Sequence, residues 1–425
     1  MSDTIFALSS GAPPAAIAIV RISGPDAGRA LDALANSRPK PRRSSVRRLR
    51  AADGAVLDEA LVLWLPGPAT ATGEDIAELH LHGGRAVVAA VEHALEAMAG
   101  LRRAGAGEFT RRAFANGRID LAEAEGLADL LSAETELQRR QALSLATGEL
   151  SALVAGWRDR VLSLSAQIEA SLDFGDEDDV EQTPQDLPDR LRGLAAAIAR
   201  HLEHPRAEML KDGFRVVLAG PPNSGKSSLF NRLVEEEAAI TAPIAGTTRD
   251  VLTRPVALAG IPFVFADTAG LRDDAPDVIE AIGIDRAKTE LDRADLVLWL
   301  GDHGQGQGRA VWEIASFADQ GERHLKDARH RVSAVSGEGI GSLRDDLIVH
   351  ATAAMPQAGS VALNRRQHDL LKEASSCISD AAHTSDLIVA AEFLRLARVS
   401  FDRLLGAAGT EEMLDALFGR FCIGK

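Results

Sequence analysis

Hydrophobic and polar positions follow three successive patterns along the chain, and each pattern predicts a different kind of structure. Up to residue 118 the apolar runs are short and β-like, at 16–22, 61–65 and 76–80, and they alternate with helical stretches such as 85–99. Gly and Pro stand at the joints between these runs. The pattern predicts an α+β domain over residues 1–118.

From residue 119 the apolar positions recur at near-helical spacing, and alanine is plentiful. Further helices are predicted over 150–172 and 186–210, and the acidic segment 173–179 between them is interpreted as a solvated helix end. We therefore expect residues 119–210 to form the first part of a helical domain. The leucines that carry the first helical pattern are Leu121, Leu127, Leu130, Leu131, Leu137 and Leu143.

Residues 211–355 alternate strands with helices, which is typical of a doubly wound α/β sheet. Helices return after Pro356, so we expect an α/β domain that is inserted into one discontinuous helical domain, with 356–425 as its second part. The strands predicted for the sheet are 214–219, 263–267, 296–300 and 331–334, and the later helices are 364–384, 386–407 and 411–418.

Composition adds limits to this picture. A chain of 425 residues needs two or three domains, and 46% hydrophobic with 26% charged residues is typical of a globular protein. No apolar run approaches the ~18 residues of a membrane span, and the start lacks the pattern of a secretory signal. With two cysteines, we expect a reducing, cytoplasmic location without disulfides.

Charge is distributed unevenly. The net charge is −15, yet residues 1–118 carry 15 basic against 12 acidic residues, a net of +3. Two interpretations of a basic cluster within residues 38–50 stay open: a solvated loop, or a contact with a nucleic-acid phosphate backbone. Its members are Arg38, Lys40, Arg42, Arg43, Arg47, Arg48 and Arg50.

The segment Gly220–Ser227 reads GPPNSGKS and fits the phosphate-binding pattern GxxxxGK[ST] between a predicted strand and a predicted helix. In this pattern backbone N–H groups and the side chain of Lys226 bind a polyphosphate, and the hydroxyl of Ser227 binds Mg²⁺. Two later segments support it: 245–250 (AGTTRD) offers a second hydroxyl for Mg²⁺, and 267–270 (DTAG) ends a strand. We therefore expect a nucleotide-hydrolysing domain.

Hydrolysis needs a device other than a water-orienting glutamine, because Leu271 occupies that place after the DTAG segment. Asn223 could hold a monovalent cation, and Glu280 could orient water. The alternatives are that Asn223 caps the loop and that Glu280 is a surface residue.

For recognition of the nucleotide base, 316–319 (SFAD) is the best match to the pattern Asn-Lys-x-Asp, with Asp319 as the guanine acceptor. GTP is therefore favoured over ATP.

Taken together, these and further segments resemble the tRNA modification GTPase family MnmE/TrmE, over essentially the whole chain. The segments are 21–24 (RISG), 73–79 (GEDIAEL), 82–84 (HGG), 107–110 (GEFT), 112–121 (RAFANGRIDL), 245–250 (AGTTRD) and 421–425 (FCIGK).

The resemblance implies an N-terminal α+β folate-binding domain that dimerises, a discontinuous helical domain and an inserted Ras-like GTPase domain. It further implies partnership with the FAD protein MnmG, with which the homodimer could form a heterotetramer. Together they add an aminomethyl or carboxymethylaminomethyl group to carbon 5 of the wobble uridine (position 34) of certain tRNAs. The one-carbon unit comes from a reduced folate, 5-formyl- or 5,10-methylene-tetrahydrofolate.

The resemblance also implies residue roles. Folate contacts fall on Arg21, Glu78, Arg118 and Lys425. Mg²⁺ ligands fall on Ser227 and Thr248, and K⁺ ligands on Asn223, Ala242, Ile244 and Thr247. Glu280, Asn223 and Cys422 are the catalytic candidates. GTP contacts fall on Asn223, Ser224, Gly225, Lys226, Ser227, Ser228, Thr247, Thr248, Asp267, Thr268, Ala269, Gly270 and Asp319.

Three interpretations depart from these roles. Cys422 is equally well a small hydrophobe packed on a terminal helix. The chain could be a ribosome-assembly or signalling GTPase that performs no modification chemistry. It could also be a degenerate scaffold for MnmG, because the Asn-Lys pair is missing at 316–317 and Val335 follows Ser333-Ala334 where the family has a basic residue.

Overall fold

The computed structural model describes residues 3–173, 186–203, 207–235, 252–267, 289–320, 327–355, 361–407 and 411–425. Residues 3–132 contain six strands and four helices: β1 Thr4–Leu8, β2 Ile17–Ser23, α1 Ala27–Ala35, β3 Ser45–Arg50, β4 Val56–Leu65, β5 Ile76–His82, α2 Arg85–Glu96, β6 Leu101–Arg103, α3 Glu108–Ala115 and α4 Leu121–Ser132.

The described remainder continues with α5 Glu136–Ala146, α6 Glu149–Asp173, α7 Leu187–Leu202, α8 Glu208–Asp212, β7 Phe214–Ala219, α9 Lys226–Glu235, β8 Leu252–Leu258, β9 Ile261–Asp267, β10 Leu296–Trp299, β11 Val311–Ala315, β12 His330–Arg331, α10 Ile340–Ala354, α11 Arg365–His383, α12 Leu387–Leu405 and α13 Glu411–Phe418. None of the described helices combines the length and apolar character needed to cross a membrane.

The backbone separates into two compact units, one of Met1–Ala128 with Asp402–Lys425 and one of Asp129–Phe401. In the first unit six strands form a mixed sheet in the order β3-β4-β5-β2-β1-β6. Alternate side chains of β2, β4 and β5 meet α1 and α2 in one hydrophobic core. The other set of side chains on these strands includes Arg21, Glu78 and His80, which are only partly buried.

The last residues of the chain complete this first unit. Helix α13 packs with α4 around Leu121, Leu417 and Phe418. After it, Ile423 pairs with Ala106 in an isolated β-bridge, and a Cβ added at Gly424 would lie 2.0 Å from the Leu8 carbonyl oxygen. The φ of Gly424 is 96°, so both its conformation and the close approach require glycine.

The second unit contains a six-stranded sheet in the order β12-β11-β10-β7-β9-β8. All its neighbouring strands are parallel except β8, which pairs antiparallel with β9 as an edge strand. One face of the sheet packs with α9 and α10 in a single core, and a separate cluster that includes Val217, Ala266 and Val297 lies on the other face. Helix α7 packs against α11, where the Ser375 hydroxyl donates to the Ala195 carbonyl, so helices before and after the sheet in sequence pack together.

The multidomain fold class predicted from the sequence is confirmed, and four details of the prediction are wrong. The basic stretch 38–50 is a loop only in its first part, because β3 pairs with β4 over its second. The helix predicted over 186–210 ends at Leu202, and α8 begins separately at Glu208. The strand predicted at 331–334 shortens to β12, because Ser333 begins a turn. Strands β8 and β11 were not predicted. The domain limits at 118, 210 and 355 stay a prediction.

Candidate functional site

The phosphate-binding segment lies between β7 and α9, as its pattern predicts. β7 is buried at the centre of the second sheet and ends at Ala219, and α9 begins at Lys226, so the first N–H groups of the helix point into the loop. Asn223 has a φ of 58°, a left-handed conformation that asparagine tolerates better than most residues. The chain therefore folds locally into the strand–loop–helix that binds phosphate groups.

Lys226 crosses this loop. Its side chain is 5% exposed, and its ammonium Nζ donates to the carbonyl oxygens of Gly220 at 3.0 Å and Pro221 at 2.7 Å. Burial of a cation in this position requires oxygen partners, and the loop carbonyls provide them. The charge is thus held at the mouth of the loop, where phosphate oxygens would bind.

Ser227 and Asp267 meet beside the lysine. The Ser227 hydroxyl donates to Asp267 Oδ2 at 2.6 Å, and Asp267 ends β9 with 1% of its surface exposed. A hydroxyl and a carboxylate are hard oxygen donors that suit Mg²⁺, which takes few protein ligands and fills its shell with phosphate oxygens and water. These two residues therefore fit the predicted magnesium site. Ser228 is exposed in the first turn of α9.

The segment 316–319 lies against the phosphate loop. The Ser316 hydroxyl donates to the Ser224 carbonyl at 2.7 Å, and a Cβ added at Gly225 would lie 3.3 Å from Cζ of Phe317. Asp319 follows in a short 3₁₀ helix, Ala318–Gln320, and is exposed. Beside it, the Ala318 N–H donates to the Val332 carbonyl, which connects the segment to the Ser333-Ala334 turn. Segment 316–319, which is expected to bind the base, is therefore a neighbour of the loop, and the Ser333-Ala334 turn is a neighbour of that segment.

Other predicted nucleotide and metal residues lie outside the described part of the chain, so their predicted roles stay predictions. They are Ala242, Ile244, Thr247, Thr248, Thr268, Ala269, Gly270 and Glu280.

Two predicted folate residues form an ion pair on the sheet of the first unit. Arg21 of β2 and Glu78 of β5 are cross-strand neighbours, and Arg21 donates to Glu78 Oε1 at 2.9 Å. Both side chains are partly exposed, at 26% and 15%, so they stay reachable for a ligand. His80 adds a ring nitrogen 3.4 Å from Glu78 Oε2.

Lys425 and Arg118, the other two predicted folate residues, belong to the same unit. The Arg21 guanidinium lies 5.9 Å from the Phe109 ring centroid, and the Phe109 N–H donates to the Lys425 carbonyl at 3.2 Å. Phe109 therefore lies next to Arg21, which pairs with Glu78, and is hydrogen-bonded to the backbone of Lys425. Arg118 lies beside Gly73: a Cβ added at that glycine would be 3.3 Å from Arg118 Cγ.

Cys422 lies beyond α13 and is exposed, so the interpretation as a hydrophobe packed on a terminal helix is wrong. Phe421 before it is buried, whereas Ile423 after it is exposed as well.

Arg112 has a structural role that the sequence reading missed. Its side chain is fully buried and donates to Asp3 Oδ1 at 3.0 Å, to Glu74 Oε2 at 3.1 Å and to Glu108 Oε1 at 3.1 Å. Burial alone would raise the pKa of Glu108, but hydrogen bonds from Arg102, the Gly105 amide and Arg112 bring that pKa below its ordinary value. A sequence signal existed, because position 112 falls on the same face of α3 as the buried Phe109.

Comparison with known proteins identifies the family. The family model described as the MnmE helical domain matches residues 121–422, and that of the GTP-binding protein TrmE N-terminus matches residues 4–118. The chain belongs to the MnmE/TrmE family. Relatives named tRNA modification GTPase MnmE from Novosphingobium aromaticivorans and Erythrobacter litoralis are each 60% identical, with full coverage of both chains. One from Rhizorhabdus wittichii is 57% identical, covering 100% of this chain and 97% of the relative.

The similarity of solved structures to this MnmE/TrmE chain is weaker than that of the relatives named above. The G domain of the T. maritima FeoB iron transporter aligns with 32% of this chain and 98% of that chain, at 22% identity. Its TM-score is 0.24, which is too low to support an argument.

Proposed function

We propose that this chain hydrolyses GTP and takes part in tRNA modification. In the proposed reaction it acts with an MnmG-type FAD protein and a reduced folate, 5-formyl- or 5,10-methylene-tetrahydrofolate. The product carries an aminomethyl or carboxymethylaminomethyl group on carbon 5 of wobble uridine 34. The observation that carries the hydrolase part is the Ser227–Asp267 contact at 2.6 Å beside the buried cation of Lys226.

In this proposal the phosphate loop stabilises charge. Backbone N–H groups at the start of α9 and the Lys226 ammonium bind the outer phosphate oxygens, where negative charge is spread in the transition state. Ser227 and Thr248 would hold Mg²⁺, with Asp267 holding its water ligands. When bound, Mg²⁺ neutralises charge on the phosphate oxygens.

A second cation and a carboxylate complete the proposed hydrolytic site. Asn223, at the exposed tip of the loop, would hold K⁺ together with Ala242, Ile244 and Thr247. When bound, K⁺ supplies the positive charge that an arginine finger supplies in other GTPases. Glu280 would orient the attacking water, as it matches the family's glutamate.

GTP hydrolysis is expected to be at least about tenfold faster in KCl than in NaCl at equal ionic strength, because a correctly sized cation beside Asn223 lowers the barrier by about 1.4 kcal/mol or more. The measurement is the steady-state rate of phosphate release by the purified chain. Asn223→Ala gives the control: its rates in the two salts should become equal. Equal rates in wild type would remove potassium from the proposal.

Base selection is proposed to rest on segment 316–319. Ser316 holds this segment to the Ser224 carbonyl, Phe317 offers an aromatic face where the family has a lysine stem, and Asp319 accepts from the guanine ring N–H and amino group. Faster hydrolysis of ATP than of GTP by the purified chain would contradict this assignment.

The folate part of the proposal rests on the charge pattern around β2 and β5. A carboxylate such as Glu78 suits the paired N–H donors of a pterin ring, and Arg21, Arg118 and Lys425 suit the carboxylates of a glutamate tail. The Arg21–Glu78 pair would then hold the carboxylate in position before folate binds. Cys422 is proposed to lie near the one-carbon unit.

Glu78→Gln is expected to weaken binding of 5-formyl-tetrahydrofolate roughly 10–100-fold, because it removes a charge-assisted acceptor worth about 1.5–3 kcal/mol. Calorimetric titration of the purified chain measures the affinity. In a deletion strain, the variant should fail to restore the wobble-uridine modification, as read by mass spectrometry of tRNA nucleosides. GTP hydrolysis should stay unchanged.

Glu59→Gln is the matched control for this prediction, because Glu59 is an exposed carboxylate on the neighbouring strand β4. It should bind folate and restore the modification as wild type does. Full restoration by Glu78→Gln would contradict the folate assignment. Normal tRNA nucleosides in the deletion strain itself would instead favour the rival, a ribosome-assembly or signalling GTPase.

The remaining parts of the proposal follow from family membership. We propose a cytoplasmic homodimer, formed through the N-terminal domain of residues 1–118 and able to join MnmG as a heterotetramer. Helical parts at 119–210 and 356–425 would flank a GTPase domain at 211–355. Light scattering of the purified chain, alone and with the partner, tests the assembly: a monomer in both cases would contradict it.

A further inference from the structure

The basic residues within 38–50, here called the basic edge, lie along the outer edge of the first sheet. β3 is the terminal strand of that sheet, with β4 on one side and no strand of the described chain on the other. No acidic residue occurs within 38–50, although the whole chain has a net charge of −15. The positive charge of the basic edge therefore contrasts with the net negative charge of the whole chain.

The contacts of these seven side chains differ, and Arg47, which is half-buried, donates to the Val46 carbonyl. Arg38 is neutralised, because it pairs with Asp32 at 2.6 Å and stacks over the Trp64 ring. Arg42 donates to the Ala69 carbonyl and Arg50 to the Gly54 carbonyl, which fixes the two side chains but leaves their charges unbalanced. These contacts shape the edge without cancelling its charge.

Lys40, Arg43 and Arg48 are the exposed members whose side chains form neither an ion pair nor a hydrogen bond with any described residue. Lys40 and Arg43 lie in the turn before β3, where the Arg43 N–H donates to the Lys40 carbonyl. Arg48 lies on β3 itself. The positive charge therefore extends from the turn onto the strand and remains open to a ligand.

Nearby carboxylates do not cancel this charge. Asp58 accepts from His82 at Nδ1 and at the backbone N–H, and Asp53 accepts from the Ala55 N–H. Glu59 stands opposite Arg48 in the β3–β4 register but forms no ion pair with it within the described chain. Residues 38–59 as a whole hold seven basic against three acidic side chains. The edge thus presents net positive charge to solvent.

We propose that the basic edge binds the phosphate backbone of RNA, with Lys40, Arg43 and Arg48 as its phosphate contacts. Charged residues on an exposed edge strand prevent it from pairing with strands of other molecules, and this could account for the charges on β3. It does not explain Lys40 and Arg43, which precede the strand.

RNA is favoured over other polyanions because the inference rests on the proposed function, in which tRNA is the substrate. It adds to that function the surface on which the tRNA backbone is held. Contacts of this kind supply affinity and position without reading sequence.

The test uses the triple variant Lys40→Gln, Arg43→Gln, Arg48→Gln in the full chain. Affinity for an unmodified tRNA transcript is measured by filter binding between about 50 and 200 mM KCl. The variant should bind roughly 10–100-fold more weakly, and the slope of log affinity against log salt should fall by about 2, because each lost phosphate contact removes about 0.7–0.9.

The matched control is Arg160→Gln, Arg200→Gln, Lys372→Gln, which removes the same charge from exposed helical positions outside the basic edge. It should leave affinity and slope unchanged, and both triple variants should hydrolyse GTP at the wild-type rate in the absence of tRNA. Equal slopes for wild type and the basic-edge variant would overturn the inference alone. Absence of tRNA binding by wild type would overturn it together with the tRNA part of the proposed function.

Two further readouts exclude other roles for the basic edge. If the basic-edge variant has a smaller mass than wild type in light scattering, the edge is an interface between copies of the chain, and the inference is overturned. If vesicles containing phosphatidylglycerol bind wild type and not the variant while tRNA binds both, the partner is a membrane surface instead. Unchanged mass with lost tRNA affinity supports the RNA contact.

Discussion

Lys226→Ala should lower GTP turnover about 10²–10³-fold. The substitution removes a buried cation that lies at the mouth of the phosphate loop, where it donates to the Gly220 and Pro221 carbonyls. Loss of one preorganised donor to a developing oxyanion has an effect of this size. The measurement is phosphate release under saturating GTP, with nucleotide affinity read separately from a fluorescent GTP analogue.

Lys211→Ala provides the control for Lys226→Ala. Lys211 precedes β7 in the same unit, is largely exposed, and pairs with Asp129 at 3.2 Å. An exposed pair contributes at most about 1 kcal/mol to stability, so this variant should keep wild-type turnover. If Lys226→Ala hydrolyses GTP at the wild-type rate, the phosphate loop is not the hydrolytic site and the proposed function fails.

Arg112→Met should destabilise the first unit by about 3–5 kcal/mol, because it removes the buried cation of the network and leaves Glu74 without an ionic partner in the described chain. Glu74 would retain the Ser23 hydroxyl at 2.8 Å, and Asp3 and Glu108 would retain Arg102. Hydrogen exchange of peptides from β1 and β2, followed by mass spectrometry, should show protection reduced roughly 10²–10³-fold.

Arg103→Met is the matched control, since Arg103 pairs with Glu92 and Glu96 but is about half exposed, at 51%. It should change protection by less than about fivefold. Arg112→Lys should fall between the two, because it keeps the charge but lacks the planar fork that contacts three carboxylates. Equal protection in Arg112→Met and Arg103→Met would contradict the role of the network.

The same network predicts how the stability of the first unit depends on pH. The pKa of Glu108 is lower in the folded state than its ordinary value of 4.5, so folding favours the ionised carboxylate. Its stabilising contribution is therefore complete above pH 4.5 and is lost as the pH falls through the lowered pKa. The difference in stability between wild type and Arg112→Met should shrink over that acidic range.

The sequence predicted those parts of the fold whose signals are local. The strand before Gly220, the loop and the helix after it are adjacent in sequence, so their order defines the phosphate site directly. β3 was missed because its arginines resemble a solvated loop, and a strand pairing with β4 cannot be seen in such a segment. β8 was missed because Pro255 reads as a strand breaker, although a proline is tolerated in an edge strand.

Site details that depend on distant residues were not predictable from one sequence. The carboxylates around Arg112 come from Asp3 and Glu74, which are 109 and 38 positions away, and a lone arginine in a helix is usually a surface residue. The Ser316 contact with Ser224 likewise joins residues 92 positions apart. Arg21 and Glu78 were named as folate contacts only through the family resemblance, because neither residue is distinctive on its own, and their ion pair was not predicted.

The anchoring of residues 423–425 to Ala106, Leu8 and Phe109 has a consequence for biosynthesis. Arg111 and Asp415, which are 304 positions apart, form an ion pair in the same unit. On the ribosome, the amino-terminal sheet therefore emerges first but lacks these contacts until residues 402–425 have been synthesised. The first unit thus stays incomplete while the second unit, Asp129–Phe401, is synthesised.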